Sequence, residues 1–167
     1  MLKKSILFFF IVIASFSVKA QEGWFTQKID EKVTVNFPFE PKKINEQNYG
    51  INKDGVIYLV TFINILKATG MTKEDFDAGV SKQQFADDFA GGLIGKMPGY
   101  TFGKTKVTTS KDYPAYQMSG RNDEKKINIY LNIVFINGIA YSISCYVPDG
   151  KEIRFKDIFL TNIFVSK

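Results

Sequence analysis

Apolar and polar side chains alternate through much of this chain, and where the alternation stops, helical spacing replaces it. Within residues 24–37, Val33, Val35 and Phe37 are interleaved with Thr34 and Asn36, the period of a half-buried strand. Pro38 and Pro41 end that strand, because proline has no amide to give to a ladder. Residues 47–51 read as a short extended piece, Asn52-Lys53-Asp54-Gly55 as a turn, and residues 56–65 as a strong strand, so the two segments predict a hairpin. Further strands are predicted over 100–109, 115–120, 126–136 and 139–147. Asn137-Gly138 between the last two is the best hairpin signal in the chain, since both residues tolerate positive φ.

Helical spacing begins after Thr72, whose hydroxyl can cap the amide of Asp75. Glu74, Asp75 and Asp77 suit the positive end of the helix. Phe76 and Val80 share one face, but Phe85, Phe89 and Leu93 fall on another. The helix is therefore expected to bend or restart near Gly79–Ser81 and to continue to Ala90, with Gly91-Gly92 and Pro98-Gly99 closing the segment. A closing helix is predicted over 150–163, with Asp149 as its cap, Glu152 in capping-box spacing and Ile153, Ile158, Phe159 and Ile163 as its apolar face.

The last hairpin predicts the architecture. A two-residue loop pairs Ile136 with Ile139, Val134 with Tyr141, Asn132 with Ile143 and Tyr130 with Cys145 on one face. On the other it pairs Phe135 with Ala140, Ile133 with Ser142, Leu131 with Ser144 and Ile129 with Tyr146. Both faces are substantially apolar, whereas an antiparallel sheet wet on one side alternates more cleanly. The expected fold class is α+β: a central, mostly antiparallel sheet with helices packed on both faces, an α/β/α sandwich. With no internal repeat and no linker, residues 21–167 read as one domain.

Composition changes this picture at the N-terminus. Lys3 and Lys4 precede an apolar run over 5–16, and Val18 and Ala20 stand at small-residue cleavage positions. Residues 1–20 therefore read as a cleaved signal peptide rather than a spanning helix, which needs about 20 apolar residues. No Cys stands at the cleavage point to carry a lipid, so no membrane anchor is expected in the mature form, which is read as soluble and either periplasmic or extracellular. The full chain of 167 residues has 22 basic and 17 acidic side chains, a formal +5. Cleavage removes Lys3, Lys4 and Lys19 and leaves 19 against 17, a net +2. That balance argues against nucleic acid as a partner. Lys104, Lys106 and Lys111, near Tyr100 and Phe102, read as a solvated strand face.

Candidate chemistry is sparse. There is no His, so Ser-His and Cys-His nucleophiles are excluded, along with the commonest neutral-pH proton shuttle. No Gly-x-Ser-x-Gly elbow or phosphate-binding Gly loop is present. Cys145, the single Cys, reads as a small buried apolar residue rather than a redox thiol. Asp87 and Asp88 point apart on a helix, and Asn52–Gly55 lacks the ligands that would complete a calcium loop. No cofactor, metal site or catalytic residue is expected. Aromatics at termini and strand starts are the remaining candidates, since interfaces are enriched in them. Trp24, Tyr113 and Tyr116, with Arg121, are the expected surface binding residues.

The order of elements resembles the PsbP-like fold group, which includes PsbP, nuclear Ran-binding relatives and periplasmic DcrB-type proteins. The resemblance is carried by Phe37-Pro38-Phe39-Glu40-Pro41, by Tyr113-Pro114-Ala115-Tyr116 opening a strand, by the run from Asn137 to Ile143, and by the ending Phe159-Leu160-Thr161-Asn162-Ile163-Phe164. It covers nearly all the mature chain. Phe164 departs from the Ser-Phe often found there. The resemblance implies an α/β/α sandwich and no shared catalytic residue.

Taken together, these features suggest an exported, non-enzymatic domain that binds a protein or another cell-envelope component. The alternative is a small-ligand binder or a His-independent hydrolase using Tyr113, Tyr116, Arg121 and Asp123.

Overall fold

Asn137 and Gly138 take φ of 51° and 77° and join β9 (Ile127–Ile136) to β10 (Ile139–Pro148). The register is the expected one, with Ile136 opposite Ile139, Asn132 opposite Ile143 and Tyr130 opposite Cys145. This hairpin is the centre of the fold in the computed structural model, which describes residues 23–166; the leader expected at residues 1–20 lies outside them.

Strands add to both sides of the hairpin. β5 (Val56–Asn64), β4 (Asn48–Lys53) and β3 (Lys42–Asn45) follow beyond β10, with the expected turn at Asn52–Gly55. Beyond β9 lies β8 (Tyr113–Asn122), flanked by β6 (Thr101–Phe102) and β7 (Lys106–Ser110). The result is an eight-stranded antiparallel sheet. The single strand expected over 100–109 is broken at residues 103–105, so β6 and β7 pair with different stretches of β8.

One face of this sheet is covered by helices. Thr72 caps α2 (Lys73–Gly79), its hydroxyl accepting the Asp75 amide at 3.1 Å, as expected. The helix restarts as α3 (Gln83–Ile94). The restart lets Phe76 and Val80 from one piece, and Ala86 and Ala90 from the other, all reach the sheet. There they meet Tyr116, Met118, Leu131, Ile133 and Phe135. α3 runs through Gly91-Gly92 past its expected end, because Leu93 and Ile94 also pack onto this core. A short α1 (Ile65–Thr69), capped by the Asn64 side chain, was not foreseen.

The other face is covered mainly by a second sheet. β1 (Phe25–Lys28), β2 (Val33–Phe37) and β11 (Ile163–Val165) form three strands in the order β1-β2-β11, joined by α4 (Lys156–Thr161). The expected first strand is thus a hairpin, whose turn is fixed by Asp30 accepting the amides of Lys32 and Val33, each at 2.8 Å. The expected helix over 150–163 is cut to its middle. Asp149 does not cap it, because that carboxylate is held by Arg121, and Ile163 is drawn into β11 opposite Val35. The α+β class and the covering of both faces hold, but the second layer is mostly β. Phe37, Phe159, Ile163, Val33 and Val35 fill the space between it and the large sheet.

Candidate binding site

The small sheet does not reach the far side of the face it covers. Where it lies, that face is apolar: Val56, Tyr58 and Val60 on β5, Ile143, Cys145 and Val147 on β10, Val134 and Ile136 on β9, and Ala115 on β8. Beyond its margin the same alternation turns polar. Lys106, Gln117 and Asn132 stand side by side across β7, β8 and β9, and Ser119 faces Tyr130 in the next row. Leu160 and Thr161 at the end of α4 form a wall over this floor. The trench between them has a volume of about 380 Å³, and Lys104 also lines it. It continues past Ser119 and Tyr130 into a second hollow of about 280 Å³ bordered by Arg121 and Asn128.

Two features of the trench stand out chemically. Lys104 and Lys106 are exposed and make no ion pair among the described residues. Asn132 is 3% exposed; its Nδ2 donates to the Leu160 carbonyl at 2.8 Å, while its Oδ1 is buried with no protein partner. Flipping the amide would set two oxygens against each other at Leu160, so the unpartnered atom is the oxygen. A buried acceptor left this way costs about 1–3 kcal/mol. At the wall, the Lys156 ammonium lies 4.4 Å from the Tyr130 ring centroid and pairs with Asp157.

The four residues expected to form the surface site do not come together. Tyr116 is fully buried, facing α3 with its hydroxyl donating to the Val80 carbonyl at 2.5 Å, and burial raises its pKa. It is a core residue and not a surface anchor, because Tyr116 and Gln117 point to opposite faces of β8. Trp24 is half-buried and packs edge-on against Phe155 with centroids 5.9 Å apart. Tyr113 is half-buried against the core beneath the small sheet. Arg121 borders the second hollow, but its donors are committed. Both terminal nitrogens bind Asp149 at 2.8 Å and Nε binds Asp123 at 2.6 Å, raising the Arg121 pKa and lowering that of Asp149. Tyr113 and Arg121 sit at opposite ends of β8, about 26 Å apart at strand rise.

Cys145 is fully buried, and desolvation pushes its thiol up to about 12. That agrees with its reading as a small core residue. Among the described residues no group of three or more His, Cys, Asp or Glu is placed to hold a metal. The trench itself was missed in the sequence, although Gln117, Ser119 and Arg121 on alternate positions of β8 were a visible polar stripe.

These layers define an α+β protein with a large antiparallel sheet, of the PsbP-like fold. The supporting likeness is to the solution structure of cyanobacterial PsbP (CyanoP) from Synechocystis sp. PCC 6803, at 10% identity and TM-score 0.53, covering 89% of this chain and 96% of that one. Lower overlaps are found with a Bacteroides thetaiotaomicron VPI-5482 structure (10% identity, TM-score 0.49, 88% of this chain and 49% of that one) and with a Pseudomonas aeruginosa protein of unknown function (10% identity, TM-score 0.45, 81% and 90%). The chain spans about half the length of the Bacteroides protein. No family model matches the chain, and no curated protein does. No helix among the described residues is long and apolar enough to cross a membrane.

Proposed function

We propose that the chain is an exported, DcrB-type member of the PsbP-like fold group, acting without catalysis as a binding module for a protein of the cell envelope. The partner would sit in the trench between α4 and the floor of β7, β8 and β9. The observation that carries this reading is the change from apolar to polar on one continuous sheet face at the margin of the small sheet, leaving a walled floor with uncommitted Lys104, Lys106, Gln117 and Ser119. Groups that serve only solubility do not need a wall, and groups that serve only the fold are paired, as Arg121 is.

The rival, a small-ligand binder or hydrolase, named Tyr113, Tyr116, Arg121 and Asp123. These are divided between the core, an ion pair and opposite ends of β8; of them Arg121 borders a hollow, but its donors are already bound to Asp123 and Asp149. The test is affinity capture from envelope extract with the chain starting at Gln21, beside the double variant Lys104→Glu, Lys106→Glu. The expected result is a reproducible partner held by the wild type and lost by the variant. Equal capture by both would place the interaction elsewhere and end this reading of the trench.

A further inference from the structure

The wall of the trench leads directly into an unpaired strand edge. β11 is the last strand of its sheet. Its bonds to β2 run from the Asn36 amide to the Asn162 carbonyl at 3.1 Å and from the Ser166 amide to the Lys32 carbonyl at 2.8 Å, with Phe164 opposite Thr34 between them. In an antiparallel ladder, residues turned toward the partner alternate with residues turned away. The N–H and C=O groups of Ile163 and Val165 therefore point outward along the open edge. The Lys111 ammonium lies 3.9 Å from the Phe164 ring centroid, which places this edge beside the β7–β8 turn. The edge and the trench thus lie on the same side of the small sheet.

We propose that this edge takes an extended acidic peptide segment as a fourth strand on β11, running into the trench with carboxylates over Lys104 and Lys106. The inference rests on the trench being the binding site and adds what binds there. The lysines select an anion. The outward groups of Ile163 and Val165 repeat at about 6.6 Å, the two-residue spacing of a strand, and alternate donor with acceptor as another backbone does. An anionic saccharide would satisfy the lysines but not this edge.

The test is a titration of the 15N-labelled chain from Gln21, which holds every described strand and helix. The probe is a peptide of about ten residues alternating Glu with Val. The comparison probes are the same peptide with Lys for Glu, two versions N-methylated on either alternate set of amides, and polygalacturonate. The expected result is binding of the Glu peptide with amide shifts at Ile163 and Val165. One N-methylated version, the Lys peptide and polygalacturonate should each bind at least about tenfold more weakly. The double variant Lys104→Glu, Lys106→Glu should weaken binding about tenfold. Val165→Pro should do the same while keeping the spectrum of the folded core, and Val165→Ala, which trims the same core-facing side chain but keeps the outward amide, should bind as the wild type does. Equal binding by the Lys peptide or polygalacturonate, indifference to both patterns of N-methylation, or no shift at β11 would overturn the acidic-strand proposal. Loss of this proposal alone would leave capture of an envelope partner still dependent on Lys104 and Lys106; failure of the trench reading would not.

Discussion

Arg121 shows how a residue's neighbours decide its chemistry. In the sequence it is a cation near two tyrosines; in the fold it is a clamp between β8 and the start of the loop leading to α4. Asp149 meets it with both oxygens, and Asn128 bridges to the same carboxylate at 3.1 Å. The Arg121 hydrogen bonds hold the Asp149 carboxyl below its ordinary value. A carboxyl lowered in the fold releases its proton more readily there than in the unfolded chain. Its stabilising contribution is therefore present above the ordinary carboxylate range and is lost as pH falls through the folded value. Asp149→Asn should lower the urea midpoint at pH 7, and the gap to wild type should shrink as pH falls below the ordinary carboxylate range. A gap that stays constant as the carboxyl is protonated would show that the ion pair does not contribute. The pair is exposed at both ends, so the effect should be small.

Among the elements, α4 and the small sheet were the least legible, and they position the trench wall. Alternation identified β2, β5, β9 and β10 because each has a buried face, and β5, β9 and β10 are long as well. The capping box at Asp149 and Glu152 pointed to a longer helix, and only the tertiary pull of Arg121 on Asp149 and of β2 on Ile163 shortened it. The β7–β8 connection was legible at residues 111–114, and only its tightness was not: Lys111 and Asp112 adopt positive φ of 48° and 70° without a glycine, so that Tyr113 and Pro114 already belong to β8. What α4 retains is its anchor. Phe159 is fully buried and packs against Phe37 and Tyr58, with centroids at 5.0 and 5.2 Å. Phe159→Ala should cost about 3–5 kcal/mol in urea unfolding. Ile158→Ala, on the outer side of the same helix and 53% exposed, should stay within about 0.5 kcal/mol. Comparable losses at both positions would mean that α4 is not seated by Phe159.

For the whole molecule, the sequence made the double covering of the large sheet legible, because both faces of the last hairpin are apolar. It did not make the uncovered margin legible, since that depends on where a layer built from both chain ends stops. The same layering predicts how the protein responds to alkali. Tyr58 lies beneath the small sheet and burial pushes its phenol up to about 12, as it does the Cys145 thiol. Tyr141 shares that layer, bonded to Asp30, and Tyr116 lies beneath the helices; burial raises both. All four groups hold their protons more tightly folded than unfolded. Stability should be fully present below their ordinary range and fall as pH rises through about 9–12, where only the unfolded chain ionises freely. The tyrosinate absorbance of Tyr58, Tyr116 and Tyr141 should therefore appear together with loss of the near-ultraviolet circular dichroism. The Cys145 thiol should become reactive to a disulfide reagent in the same transition. Ionisation of all tyrosines with a midpoint near 10 and the dichroism intact would show that water reaches both sides of the sheet, and the two-layer burial described here would not survive it.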